Sequence, residues 1–288
     1  MTEWSVWPAP AKINLFLHVL GRRADGYHEL QTAFQLLGYG DRIWLRPRVD
    51  GRVERCSHLP GVAAEDDLTV RAARALQAAT GSAGGVDIHV DKRLPAGGGV
   101  GGGSSDAATV LVALNHLWQT GLDEEALAGI GLALGADVPV FVRGRSAWGE
   151  GVGEQLRPMP VDPAGSRWYL VVDPGASIST AEVFGAPELT RDTSPITIPD
   201  LRAGAVRNDC EPVVRSRWPA VAEALEWLGR HGQARMSGTG SCCFVGFPGE
   251  AEAQAALERL PGAWSGFVAQ AVERSPLHLT LAEAARTG

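Results

Sequence analysis

A glycine-rich stretch at residues 94–108 is the part of this sequence best suited to chemistry. Between Gly97 and Gly103, six of the seven residues are glycine, and the seventh is Val100. Glycine loses the most backbone freedom on folding and adds no side chain to a core, so such a run makes a poor strand or helix interior. The stretch is therefore predicted to be a loop.

A helix is predicted directly after this loop. Apolar residues recur from Ala107 to Trp118 at spacings of four, three and four, the pattern of a helix that buries one face. Its N-cap is expected within residues 104–106 (Ser-Ser-Asp). A glycine-rich loop that runs into a helix N-terminus offers free backbone N–H groups and the positive end of the helix dipole, which suit phosphate. We interpret the loop as a phosphate cradle.

Other interpretations of the loop fit less well. Residues 98–103 have the P-loop spacing, but Ser104 stands where that motif needs lysine. A Gly-x-Gly-x-x-Gly match begins at Gly97, but it is weak in so glycine-dense a segment. The acidic residue expected about 20 residues later would be Asp123 or Glu124, which look like the start of another helix. A flexible linker is disfavoured because linkers do not usually run into a capped amphipathic helix.

Two isolated charged residues and a second glycine-rich patch are further candidates. Lys12 lies in a predicted strand within an apolar segment, and Asp137 lies between a helix end and an apolar run. Taken alone, a solvent-facing strand lysine and a turn aspartate are equally simple explanations. The patch at residues 235–241, Arg-Met-Ser-Gly-Thr-Gly-Ser, fits either a tight turn or a second anion-contacting loop.

The elements that position these residues follow from hydrophobic periodicity. Alternation over residues 11–20 predicts a strand with Lys12 and Asn14 on one face and the core on the other. Further strands are predicted at 42–46, 86–90, 138–142, 168–172, 242–247 and 267–272. The segment 138–142 contains Pro139 and therefore suits an edge strand. Helices are predicted after Asp66 and Asp67, after the glycine-rich loop, after Asp123, and over 220–228 and 250–260. Such a mixture is typical of the α+β class.

Composition bounds the class of protein. A chain of 288 residues suffices for one large or two ordinary domains, and proline and glycine at residues 158–165 mark the candidate boundary between domains 1–158 and 159–288. The net charge of −7 argues against a general nucleic-acid binder. The four cysteines lack zinc-ligand spacing, and the adjacent Cys242 and Cys243 favour small buried residues in a reducing compartment.

Targeting signals are not evident. Residues 1–10 lack the basic and apolar regions of a signal peptide. No apolar run approaches the about 20 residues needed to cross a bilayer. We expect a cytoplasmic protein that binds neither nucleic acid nor a membrane, and no oligomeric state is predicted.

Five sequence blocks resemble the GHMP kinase superfamily and occur in its order. They are Pro-Ala-Lys-Ile-Asn-Leu at 10–15, Asp-Gly-Tyr-His-Glu-Leu at 25–30, the glycine-rich stretch at 94–108, Gly-Ala-Asp-Val-Pro at 135–139 and Gly-Thr-Gly at 238–240. The resemblance implies an α+β architecture of two domains. The first would resemble domain 2 of ribosomal protein S5, the second would be a ferredoxin-like α/β sandwich, and substrate would bind between them.

Within the superfamily, the second block and the long glycine loop resemble members that act on a cytidyl substrate of the non-mevalonate isoprenoid pathway. The implied reaction transfers the γ-phosphate of ATP to the 2-hydroxyl of 4-diphosphocytidyl-2-C-methyl-D-erythritol. Asp137 matches the residue that would accept the hydroxyl proton, and Lys12 matches the lysine beside it. A carboxylate, an ammonium and a backbone cradle are the parts that phosphoryl transfer needs.

The same matches imply two sets of binding residues. ATP is expected at Pro95, Ala96, Gly97, Gly98, Gly99, Val100, Gly101, Gly102, Gly103, Ser104 and Ser105, with Lys92, Asp67 and Leu68 near the adenosine. The substrate is expected at Asn14, Tyr27, His28, Thr180, Phe184, Gly238 and Thr239. Within this second set, Tyr27 and Phe184 match the aromatic pair that holds the cytosine ring, and His28 matches the residue that binds its polar edge.

Mg²⁺ is expected with ATP because it neutralises the β and γ oxygens. Ser104 or Ser105 could supply a hydroxyl ligand, and the other metal ligands are not predicted. Asp67 and Asp106 depart from the asparagine found in relatives, which affects the nucleoside contacts rather than the reaction.

Two other functions remain open. One is another GHMP kinase, of the mevalonate or homoserine type, and the other is a non-catalytic ligand sensor of the same fold. Tyr27, His28 and Phe184 favour the cytidyl substrate, since mevalonate and homoserine carry no base to stack. The presence of both Lys12 and Asp137 favours an enzyme.

Overall fold

The computed structural model describes residues 3–160, 166–204 and 206–287 of the chain. Within these ranges the strands are β1 (Ser5–Arg22), β2 (His28–Arg48), β3 (Val53–Arg55), β4 (Gly85–Asp91), β5 (Ala147–Glu150), β6 (Gln155–Pro158), β7 (Trp168–Asp173), β8 (Arg235–Met236), β9 (Cys243–Phe247) and β10 (Ser265–Val272). The helices are α1 (Leu68–Thr80), α2 (Gly102–Leu117), α3 (Glu124–Leu132), α4 (Val138–Arg143), α5 (Thr180–Gly185), α6 (Ile198–Arg202), α7 (Glu211–Arg217), α8 (Pro219–Leu228), α9 (Glu250–Leu257) and α10 (Pro276–Thr287).

The long strand β2 is the centre of the sheet in the first half of the chain. It pairs antiparallel with β1 along almost its whole length and with β4 and β5 over shorter stretches. Strand β10 pairs with β2 through Ala271 and Val272 and with β7 through residues 265–270. The resulting strand order is β3-β4-β2-β10-β7-β9-β8, so strands from both halves form one connected sheet.

Apolar side chains form three clusters on this sheet. The first, around Leu111, packs α1, α2 and α4 on β1, β2 and β4. The second, around Leu225, packs α5, α7, α8 and α9 on β7 and β9. The third, around Phe244, is contributed mainly by β1, β2, β7, β9 and β10. Burial of each leucine-sized side chain contributes about 1.5–3 kcal/mol, which stabilises the elements that carry the polar site.

Strand β1 is longer and more buried than the alternation predicted. Lys12, Asn14 and His18 are buried on one face, as are Ile13 and Val19 on the other. The alternative explanation of Lys12 as a solvent-facing strand lysine is therefore wrong, because loops and helices from both halves of the chain cover that face. Only a paired lysine is stable in such a place.

Two further predictions are wrong, one of the type of an element and one of the start of a helix. Residues 138–142 form the helix α4 instead of a strand. Pro139 lies in its first turn, where a missing N–H costs nothing, and Gly144 ends it in the left-handed conformation. Helix α2 begins at Gly102, with Gly101 at its N-cap, so the Ser-Ser-Asp segment at 104–106 lies inside the helix rather than before it.

Other expectations are confirmed. Asp67 caps α1 by accepting a hydrogen bond from the Thr69 amide, and Asp123 caps α3 in the same way. Cys242 and Cys243 are buried, free thiols, and burial raises the pKa of both. None of the helices in the described ranges is long and apolar enough to cross a membrane.

The boundary between residues 158 and 159 stays a prediction, and residues 161–165 of the candidate segment lie outside the described residues. Contacts cross it in both directions. Leu17 and Val19 of β1 belong to the cluster around Leu225, whereas Leu277 of α10 belongs to the cluster around Leu111. Each half of the chain thus contributes apolar side chains to the core of the other half.

Candidate active site

Lys12 is placed by an irregularity in β1. The pairing register of β1 with β2 shifts between Pro10 and Lys12 and again between Asn14 and Leu17. Such bulges redirect side chains and free backbone groups from the ladder. Here the Lys12 amide donates to the carbonyl of Val100 at 3.0 Å, which ties the strand to the glycine-rich loop.

The Lys12 ammonium has a partner for each of its three N–H donors. Its Nζ lies 2.6 Å from Asn14 Oδ1, 3.0 Å from the Gly99 carbonyl oxygen and 3.1 Å from Asp137 Oδ2. The Lys12 side chain is only 3% exposed. These contacts hold the charge in one position, at the meeting point of the strand, the loop and the start of α4.

Asp137 occupies the N-cap position of α4 but does not cap the helix. An N-cap side chain normally accepts from the second or third helical amide, and Pro139, at the second position, has no N–H to donate. The carboxylate instead faces Lys12 and is 34% exposed. It is therefore paired and also accessible to a ligand.

The N-terminus of α2 supplies the phosphate cradle. The first amides of a helix have no intrahelical acceptor, and here Gly101 caps the helix without a side-chain hydrogen bond. Gly101 has φ +78°, and a Cβ there would lie 2.6 Å from the Phe141 ring and 3.2 Å from Lys12 Cγ. Both the conformation and the space at this position require glycine, which brings the free amides close to Lys12.

The second glycine-rich patch packs directly on the first. Ser237 Oγ donates to the Gly99 carbonyl at 2.8 Å and accepts from the backbone N–H of Asn14 at 3.1 Å. A Cβ on Gly99 would lie 2.2 Å from the Ser237 carbonyl oxygen. The Asn208 amide group donates to the Gly238 carbonyl at 2.7 Å. The patch is therefore a wall of the site as well as a turn.

A cavity of about 440 Å³ opens between these groups. Its lining combines the cradle glycines and Ser104 with Lys12, Asn14, Asp137, Thr180 and Thr239. Thr180 and Thr239 bind each other through their hydroxyls at 3.0 Å. A cavity with an anion-binding end and a carboxylate beside a fixed ammonium can hold a phosphate donor against an alcohol.

An adjoining cavity of about 590 Å³ is more apolar. Tyr27, His28 and Phe184 line it, and it shares Phe184, Thr180 and Ala136 with the first cavity. The rings of His28 and Phe184 are stacked with centroids 5.0 Å apart, and Tyr27 is 65% exposed. An aromatic ring of a ligand could insert here while the rest of it reaches Asp137.

Of the three residues expected near the adenosine, Leu68 lines the cavity, whereas Asp67 and Lys92 form ion pairs with other side chains. Asp67 is buried and its carboxylate accepts from Arg55 at 2.8 Å. Lys92 lies between the carboxylates of Asp41 and Asp106. Burial alone lowers the pKa of Lys92, but the two carboxylates raise it above its ordinary value, so Lys92 is charged.

Most of the predicted residues meet in this one region. Tyr27 and His28 line the adjoining cavity instead of the 440 Å³ cavity. The other predicted residues that do not line the 440 Å³ cavity are Lys92, Asp67, Pro95, Ala96, Val100 and Ser105. Thr32, Phe34 and Arg191 were missed, and Ser237 was identified only as part of the patch at residues 235–241. Phe34 lies against the Lys12 ammonium and Thr32 accepts a hydrogen bond from the Asn14 side chain. Both contacts depend on the β1–β2 register, which the sequence alone did not reveal.

The site has few groups that could ligate a metal. No group of three or more His, Cys, Asp or Glu side chains suited to a metal ion occurs within the described ranges. Ser104 lines the cavity at the first turn of α2, whereas the Ser105 hydroxyl is buried. This donor set fits a Mg²⁺ ion that is held mainly by phosphate oxygens and water.

Comparison with known proteins agrees with this geometry. The profile of the GHMP kinases N terminal domain matches residues 67–145, and that of the GHMP kinases C terminal matches residues 197–266. The 4-diphosphocytidyl-2-C-methyl-D-erythritol kinase of Alkalilimnicola ehrlichii is 64% identical over 276 residues, which cover 96% of this chain and 94% of that protein. The enzyme of the same name from Nitrosococcus oceani is 57% identical, with 94% and 96% covered.

A solved structure gives the same result. The crystal structure of a 4-(cytidine 5'-diphospho)-2C-methyl-D-erythritol kinase superposes with a TM-score of 0.80 at 34% identity, covering 92% of this chain and 98% of that one. Both the sequence and the fold are therefore shared over nearly the full length. The chain belongs to the 4-diphosphocytidyl-2-C-methyl-D-erythritol kinase family of the GHMP kinases.

Proposed function

We propose that this protein transfers the γ-phosphoryl group of ATP to the 2-hydroxyl of 4-diphosphocytidyl-2-C-methyl-D-erythritol. The observation that carries the proposal is the contact of 3.1 Å between Lys12 Nζ and Asp137 Oδ2, which lies between the N-terminus of α2 and the aromatic cavity. The names of the close relatives support the same substrate.

The Asp137 carboxylate would accept the proton of the attacking hydroxyl. As that oxygen bonds to the γ-phosphorus, the bond from phosphorus to the β–γ bridging oxygen breaks and ADP leaves with the electron pair. Lys12, fixed by Asn14 and Gly99, would stabilise the charge that develops on the reacting oxygens. Positioning and charge stabilisation are the main requirements of this reaction.

The triphosphate would bind the glycine-rich loop, with its terminal phosphates against the first amides of α2. Mg²⁺ would neutralise the β and γ oxygens when bound, and Ser104 is the hydroxyl best placed to ligate it. The cytosine ring would lie between Tyr27 and Phe184, with His28 at its polar edge.

Release of ADP by the purified protein tests this proposal. With ATP and Mg²⁺ we expect turnover of the cytidyl substrate, and none of methylerythritol 4-phosphate, which lacks the base. Mevalonate and homoserine serve as the competing alcohols. Turnover of either one, without turnover of the cytidyl compound, would reject the substrate but keep the kinase chemistry.

A further inference from the structure

Arg191 lies beside the aromatic cavity and bonds to two of the residues that line it, His28 and Phe184. Its Nε donates to His28 Nε2 at 3.1 Å. One of its terminal nitrogens donates to the carbonyl oxygens of Phe184 and Ala186, and the other to that of Leu189. The guanidinium therefore joins the end of α5, which carries Phe184, to the first residue of β2.

The contact with His28 has a chemical consequence. A guanidinium donates only and is always charged, so the ring nitrogen that faces it must carry a lone pair. The proton of a neutral imidazole then lies on Nδ1. Burial, together with the charges of Arg191 and Arg22, lowers the pKa of His28, which also favours the neutral ring at physiological pH.

We propose that Arg191 is a positioning residue that fixes His28 as the neutral Nδ1–H tautomer and holds it against Phe184. His28 then presents a hydrogen-bond donor, and not an acceptor, to a pyrimidine in the cavity. This inference rests on the proposed function and adds to it a basis for the choice of base.

A fixed donor discriminates between the two common pyrimidines. Cytosine carries an unprotonated N3, which accepts a hydrogen bond, whereas N3 of uracil carries a proton. An N–H directed at that edge pairs with cytosine and leaves two donors facing each other with uracil. Sites that bind a polar edge in this way reject the mismatched ligand strongly, because a buried group loses its partner.

The experiment compares Arg191→Lys with the wild type. Lysine keeps the positive charge but lacks the planar fork, so it cannot make the same four contacts. We expect ¹⁵N NMR of the wild type to show His28 protonated on Nδ1, and the variant to show a mixture of tautomers. The ratio of Kd values for UDP and CDP should fall by about tenfold or more in the variant, with kcat for the cytidyl substrate changed less than KM.

Arg217→Lys is the matched control. Arg217 also bonds to the 184–191 region, through Glu188 at 2.8 Å, but its ion-pair partners are Glu188 and Glu182 instead of His28. This variant should keep the wild-type tautomer and the wild-type ratio. If it changed both as much as Arg191→Lys did, the effect would be a general loosening of the segment and the inference would be wrong.

Two further results would overturn the inference. One is wild-type His28 protonated on Nε2, and the other is an unchanged UDP-to-CDP ratio in Arg191→Lys. Failure of the proposed function looks different, because the wild type would then bind neither nucleotide. The NMR measurement needs no nucleotide and still decides whether Arg191 sets the tautomer.

Discussion

At the scale of single residues, the site depends on two charges held for different purposes. Lys12 is buried and its three donors are all used, whereas Asp137 keeps part of its carboxylate accessible. The ammonium therefore serves as a fixed charge. The carboxylate is free to exchange a proton with a bound alcohol.

Asp137→Asn tests the role of that carboxylate. An amide cannot accept the hydroxyl proton, so we expect kcat to fall by about 10²- to 10⁴-fold while the Kd for CDP stays the same. Steady-state kinetics and nucleotide binding measure the two effects. Asp66→Asn, at an exposed turn, is the control and should behave as the wild type. An unchanged kcat in Asp137→Asn would remove it from the role of base.

Tyr27→Ala tests the aromatic cavity. Tyr27 is 65% exposed, so the fold does not depend on its ring. Loss of one stacking partner should raise the KM for the cytidyl substrate about tenfold and leave kcat nearly unchanged. If KM for the cytidyl compound did not change, the base would not lie against this ring.

At the scale of elements, the functional groups lie where elements begin or depart from regular geometry. Lys12 lies at a register shift of β1, and Asp137 at the start of α4. The cradle is the first turn of α2, entered through Gly101. Regular strands and helices supply the rigid support, and their ends supply the free groups.

Gly101→Ala tests the entry to the cradle. The positive φ costs a residue with a Cβ about 1–2 kcal/mol, and the contact with Phe141 adds to this. We expect a lower Tm and a higher KM for ATP. Gly129→Ala is the matched control, since a Cβ there meets nothing within 4 Å inside α3. It should stabilise the protein slightly, by about 0.4–1 kcal/mol, and leave KM unchanged. Equal behaviour of the two variants would contradict this account.

The sequence predicted the elements better than their ends. The spacing of apolar residues located α2, but its start depended on glycines whose conformation only packing against Phe141 and Lys12 decides. Residues 138–142 have the apolar composition of a strand, and Pro139 could mark an edge strand or a first helical turn. In the folded protein, tertiary contacts favour the helix α4 over a strand for this segment.

At the scale of the whole molecule, the site exists only because distant segments meet. Lys12, Gly99, Asp137 and Ser237 are brought together by the pairing of β1 with β2 and by the packing of the second glycine patch on the first. Motifs identified these residues one at a time. Arg191 carried no sequence signal, because its partners are a histidine at the start of β2 and backbone carbonyls that any residue could supply.

The buried cluster of Lys92, Asp41 and Asp106 links β2, the segment after β4, and α2. One ammonium cannot neutralise two carboxylates. Burial raises the pKa of Asp106 to about 8; Lys92 opposes this rise and Asp41 adds to it. Asp106 is therefore largely protonated at neutral pH in the folded protein.

This cluster predicts a dependence of stability on pH. Because the folded-state pKa of Asp106 lies above its unfolded value of 3.8, its contribution is fully present below the unfolded pKa and is lost as pH rises through about 8. Asp106→Asn mimics the protonated acid. The free energy of unfolding, measured with denaturant, should fall less between pH 6 and 9 in Asp106→Asn than in the wild type. Identical slopes in the two proteins would show that Asp106 does not hold the proton.

Phosphoryl transfer to the 2-hydroxyl is tested most directly by ³¹P NMR of the product formed from ATP and 4-diphosphocytidyl-2-C-methyl-D-erythritol. We expect one new phosphomonoester signal from a phosphate on the 2-oxygen, an unchanged cytidyl diphosphate, and growth of the new signal at least about 100-fold more slowly with Asp137→Asn. No new phosphomonoester with the wild type, a phosphate on another oxygen, or full activity of Asp137→Asn would contradict it.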